Sequence, residues 1–125
     1  VFKFEDEGIS TLEDGLYTTE ENLADPEMSE KLVRFVRASM KGWKYAEANP
    51  DEAAEIVLEN DQTGAQTEKH QKRMMGEIAK LTEGSNGALD EAAFDRSAAI
   101  TMEGGMITKA PEGAWTHEIT DEALK

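Results

Sequence analysis

The stretch from Asp25 to Leu58, DPEMSEKLVRFVRASMKGWKYAEANPDEAAEIVL, constrains the fold more than any other part of the chain. Asp25 offers a side-chain acceptor to a helix whose first turn holds Pro26 and Glu27, so a preset φ and a negative charge both favour a start at this point. Met28, Leu32, Val36, Met40, Trp43 and Ala46, flanked by Val33 and Phe35, recur at three- and four-residue spacing and predict a helix to Ala48 with one broad buried face. Pro50 disfavours the helical region at Asn49 and ends that helix, while Asn49 stands where it would cap the next one with Glu52 as reciprocal partner. Ala53, Ala54, Ile56, Val57 and Leu58 then predict a second helix, and the pair makes a capped helical corner.

The remainder reads as shorter pieces. Val1-Phe2-Lys3-Phe4 alternates and predicts a short extended segment; Asp14-Gly15 predicts a turn and Leu16 to Thr18 a second extended piece. Thr19 to Ala24 suits a single helical turn. Glu59 to Gln66 is a polar loop, followed by a helix from Thr67 to Leu81 or Thr82 with Met74, Met75, Ile78 and Leu81 inward. Glu83 to Gly87 stops it, Asp90 caps a further helix through Phe94, Ala98, Ile100 and Met102, and Gly104-Gly105 ends that one. Thr120-Asp121-Glu122 starts a last short turn. The fold class expected is mainly α, about four to five helices with short extended pieces near the N-terminus, in one domain over 1–125: residues 1–24 an extended and loop segment, residues 25–125 the helical part.

Charge narrows the partners. Lys and Arg number 13 against 27 Asp and Glu, a formal net charge of -14, so the basic footprint of nucleic-acid or anionic-membrane binding is missing. No cysteine is present, which removes disulfides, thiolate metal sites and thiol catalysis. Without an h-region or a long apolar run, the chain reads as a mature chain or a piece of a longer one, not as a preprotein or a spanning segment.

Catalytic chemistry finds no constellation. His70 and His117 are the two imidazoles, neither belongs to an H-E-x-x-H pair, and surface roles are expected for both. Nucleophile-elbow, Walker A and dinucleotide glycine patterns are missing. Glu13-Asp14 and Glu20-Glu21 pair carboxylates, as composition alone produces in so acidic a chain. The loop after Leu58 has Glu59 where a calcium loop needs Asp, and His70 where it needs a bidentate Glu. The expectation is no enzyme, no metal and no cofactor.

Gly15-Leu16-Tyr17, the Asp25-Pro26-Glu27 start, and the run from Phe35 through Arg37-Ala38, Gly42-Trp43, Tyr45-Ala46, Asn49-Pro50 and Glu52-Ala53 carry a resemblance. They resemble the solute-binding proteins of ABC importers, in the branch with binders of thiamine pyrimidine precursors, taurine, alkanesulfonates and nitrate. The order of later features, the helix around Met74 and the Leu89-Asp90 helix, fits as well. The resemblance implies the C-terminal part of a two-lobe α/β periplasmic-binding-protein fold, with residues 1–24 as the crossover segment. It also implies a periplasmic or extracytoplasmic location, a small polar or heteroaromatic solute, and an importer permease as partners. The family includes a pyrimidine-synthesising enzyme branch with a cysteine-rich segment, against which the lack of Cys counts. On the same resemblance Thr11, Glu13 and Asp14, in the crossover loop, would face the solute. The rival from another class is a free-standing acidic helical interaction module without a cleft. Either way, helices that lack a sheet to cover them are expected to pair as a homodimer.

Overall fold

The computed structural model describes residues 2–125. Among them six α-helices follow one another: α1 (Glu20–Ala24), α2 (Pro26–Ala48), α3 (Pro50–Asn60), α4 (Glu68–Thr82), α5 (Glu91–Glu103) and α6 (Glu118–Ala123). No strand forms among the described residues, so the chain is mainly α. The alternation read over Val1 to Phe4 begins outside the described residues. From Phe4 the chain instead enters a 3-10 turn, Phe4–Glu7, with Phe2 and Phe4 packed edge to face at 5.7 Å. An acidic run of three residues at the start of that turn favours its positive end and accounts for a turn where alternation alone suggests extension.

Caps set the helix boundaries. The Asp25 carboxylate accepts from the backbone N–H of Glu27 at 2.9 Å and of Met28 at 3.4 Å, which opens α2. Thr19, Thr67 and Asp90 cap α1, α4 and α5 in the same way. Asn49 departs from the expectation. It makes no side-chain cap to α3; its Nδ2 donates backwards to the Tyr45 carbonyl at 2.9 Å and closes the end of α2. Its backbone, at φ -134 and ψ 60, ends one helix and begins the next, and the Tyr45 carbonyl accepts both its backbone N–H and its side-chain amide.

α3 packs chiefly on α4 and α2 chiefly on α6, while α1, α3 and α4 also touch α2; α5 packs against no other helix among the described residues. Arg37 makes the α2–α6 joint, its Nε and Nη2 donating to the carbonyls of Ala123 at 3.0 Å and Glu122 at 2.9 Å. The core is thin: Val36, Ala53, Ala54 and Ala123 are its buried apolar residues. Met28, Leu32, Met40 and Ala46 are half-buried. The broad buried face expected on α2 is therefore narrower than its periodicity implies, because Phe35 stays 55% exposed and Trp43 44%. Likewise Leu81, read as inward, is 78% exposed at the last turn of α4, and Met74, Ile56 and Val57 are exposed too. Periodicity shows which residues share a face but not whether anything covers it.

Candidate functional site

Thr11, Glu13 and Asp14 lie in the irregular segment between the 3-10 turn and α1, and all three are exposed. One long-range tether holds this segment: the Leu12 N–H donates to Ser97 Oγ of α5 at 2.8 Å, and that hydroxyl in turn donates to the Ala93 carbonyl. The residues on either side of Leu12 therefore project from a strap laid across α5 at one point. Glu13 and Asp14 present two carboxylates to solvent, each able to accept hydrogen bonds from amino groups.

Two concavities stand apart from the strap. A groove of about 530 Å³ between α3 and α4 is lined by Ile56, Val57, Asn60, Asp61, Gln66 and Gln71. Its polar wall is built by local chemistry. Asp61 accepts from the Thr63 hydroxyl at 2.5 Å and N–H at 2.9 Å, and from the Gln66 N–H at 2.9 Å. The Thr63 hydroxyl bond, then the Gln66 and Thr63 amides, hold the Asp61 carboxyl below its ordinary value of 3.8. Gln71, buried at the start of α4, donates from Nε2 to Gln66 Oε1 at 2.7 Å. The loop thus folds its polar groups on itself, and no group of three or more His, Cys, Asp or Glu able to hold a metal ion occurs among the described residues.

The second hollow, about 360 Å³, lies among Glu47, Ala79, Lys80, Glu83 and Gly84. Neither hollow is lined by Thr11, Glu13 or Asp14. Elsewhere, His117 has a structural bond: its Nε2 stands 2.9 Å from the Leu89 carbonyl, which can only accept, so that nitrogen carries the proton. Its ring lies 4.8 Å from that of Trp115. The tie to Leu89 spans 28 residues, a contact that no local pattern encodes. Likewise the groove between α3 and α4 went unread, because its walls come from two helices and the loop that joins them.

Among the described residues no helix is long and apolar enough to cross a membrane. No curated protein and no solved structure matches the chain. A family model described as NMT1/THI5 like matches residues 1–53, which takes in the strap, α1, the whole of α2 and the first residues of α3, and ends at Ala53, the last residue of the motif that begins at Phe35. This match supports a relationship to the solute-binding family in its broad sense, and residues 54–125 lie outside it.

Proposed function

We propose that this chain is the C-terminal segment of an extracytoplasmic solute-binding protein, one that delivers a small polar or heteroaromatic solute to the permease of an ABC importer. The observation that carries the reading is the coincidence of the NMT1/THI5 like match with the capped α2 helix and its Asn49-Pro50 break. Accessible surface supports it. The chain exposes 9911 Å², whereas a compact monomer of its 13.8 kDa would expose about 6,600 Å². Such an excess fits helices that cover another body in a two-lobe protein.

The solute is proposed to be a thiamine pyrimidine precursor, with a taurine or sulfonate compound as the competing class. Thr11, Glu13 and Asp14 are the contacts proposed, on the strap that the match includes. A negatively charged loop accepts hydrogen bonds from an aminopyrimidine and repels a sulfonate. Calorimetry on the protein with its complete coding region, titrated with an aminopyrimidine, an alkylamine and taurine, tests this. Aminopyrimidine binding that weakens in Glu13→Gln and Asp14→Asn is the expected result. Tight taurine binding indifferent to both substitutions would remove the two carboxylates from the site. As an isolated chain, the segment is proposed to pair with a second copy of itself.

A further inference from the structure

The link between α4 and α5 carries the only asparagine of the chain that is followed by glycine, Asn86-Gly87. Ser85, Asn86 and Gly87 are exposed and lie outside any helix. Two hydrogen bonds shape the three residues. Asn86 Oδ1 accepts from the Ala88 N–H at 3.0 Å, an Asx turn that folds the side-chain carbonyl carbon over the Gly87 peptide. The Gly87 N–H in turn donates to Ser85 Oγ at 3.1 Å. Gly87 has a φ of 79 and no Cβ to crowd the approach to its own nitrogen.

These are the groups that an acyl transfer within the chain needs. The Gly87 nitrogen is the nucleophile, and the hydroxyl that accepts from it stands where its proton must go. The Ala88 N–H points at the oxygen on which negative charge develops when the side-chain carbonyl is attacked, as an oxyanion-hole donor does. We propose that Asn86 is a modification site, at which the folded chain loses a side-chain amide through a cyclic imide closed by the Gly87 nitrogen. In the first step a bond forms between Gly87 N and Asn86 Cγ and the bond from Cγ to Nδ2 breaks. The Gly87 proton passes through the Ser85 hydroxyl to Nδ2, which leaves as ammonia. Water then opens the imide. Attack at Cγ yields an aspartate on the original backbone; attack at the main-chain carbonyl of residue 86 yields an isoaspartyl link with an added backbone methylene.

The other asparagines lack this arrangement. Asn49 precedes Pro50, which has no N–H to give up. Asn22 lies in α1, where the Thr19 carbonyl holds the N–H of Leu23 at 3.1 Å. Asn60 ends α3 with its Nδ2 on the Ile56 carbonyl at 2.8 Å. The product adds a carboxylate to a chain of net charge -14, and its isoaspartyl form lengthens the backbone at Gly87, against which Met40 of α2 packs. The modification does not depend on the solute-binding reading, since it uses no residue proposed to touch solute.

The test incubates the intact chain at neutral and mildly alkaline pH, folded and in urea, and follows each asparagine by peptide mass spectrometry. The mass gain from amide to acid should accumulate at Asn86 of the folded chain at least about tenfold faster than at Asn22 or Asn60, with aspartate and isoaspartate resolved as two products. Its rate should rise with pH, since the nucleophile must shed a proton. Ser85→Ala should slow it severalfold in the folded chain but not in urea. An amide lost in urea and kept in the native chain would overturn the proposal. So would loss spread evenly over Asn22, Asn60 and Asn86, or loss at Asn86 of the folded chain that Ser85→Ala leaves unchanged.

Discussion

Arg37 holds the far end of the chain. Its guanidinium gives two hydrogen bonds to the last carbonyls of α6, groups that a helix C-terminus leaves without partners, and its positive charge suits that end of the dipole. Arg37→Ala should cost about 1.5–3 kcal/mol in urea denaturation, the range for hydrogen bonds to a charged group. Arg37→Lys should recover only part of it, because an ammonium lacks the planar fork that reaches two carbonyls together. Asp61 gives a pH-dependent counterpart. Its folded carboxyl titrates below the ordinary 3.8, so its bonds to Thr63 and Gln66 help the loop above that value and are lost as pH falls through the lower folded one. Amide exchange at Thr63 and Gln66 should accelerate over that acid range, and Asp61→Asn should remove the dependence. Neither effect can be read from sequence spacing. Arg37 and its acceptors are 85 and 86 residues apart, and only the closed chain brings them together.

At the level of elements the sequence was most informative where local chemistry decides. Asp25-Pro26, Thr67 and Asp90 mark helix starts through their own side chains, and α2, α4 and α5 begin where those residues place them. The Asn49 amide was misread because it had two helix ends within reach, and the carbonyl of Tyr45 won over the amides of α3. The strap was legible as an irregular acidic segment but not its tether, since Leu12 and Ser97 meet across 85 residues. Exposure was the least legible property: Phe35, Trp43 and Leu81 sit on faces that periodicity marks as apolar, and burial depends on a neighbour that the pattern does not specify. Two substitutions separate the local from the tertiary. Asp25→Ala removes the cap of α2 and should cost about 1 kcal/mol wherever that helix packs. Gly87→Ala combines a φ of 79, which disfavours a side chain, with a Cβ that would collide with Met40 Sδ of α2. Its cost should be about the 1–2 kcal/mol of the backbone conformation, with little added by Met40, whose thioether is the far end of a flexible side chain and can swing aside. Thermal melts of Gly87→Ala and of Gly87→Ala with Met40→Ala would separate the two contributions.

For the whole molecule, the 9911 Å² of accessible surface governs how the chain should respond to denaturant. An unfolded chain of 13.8 kDa exposes about 20,000 Å², so folding a single copy buries about half of it, where a compact domain of that mass would bury about two-thirds. The slope of stability against urea scales with the surface exposed on unfolding. At high dilution, where the chain stands alone, that slope should therefore be about three-quarters of the value for a compact domain of equal length. Raising the protein concentration should then increase both the midpoint and the apparent slope, because unfolding a dimer exposes the covered faces too and mass action adds to its stability. A full-size slope already present at high dilution would mean that Phe35, Trp43 and Leu81 find cover within one chain, and the thin core of Val36, Ala53, Ala54 and Ala123 would then understate what holds the helices together.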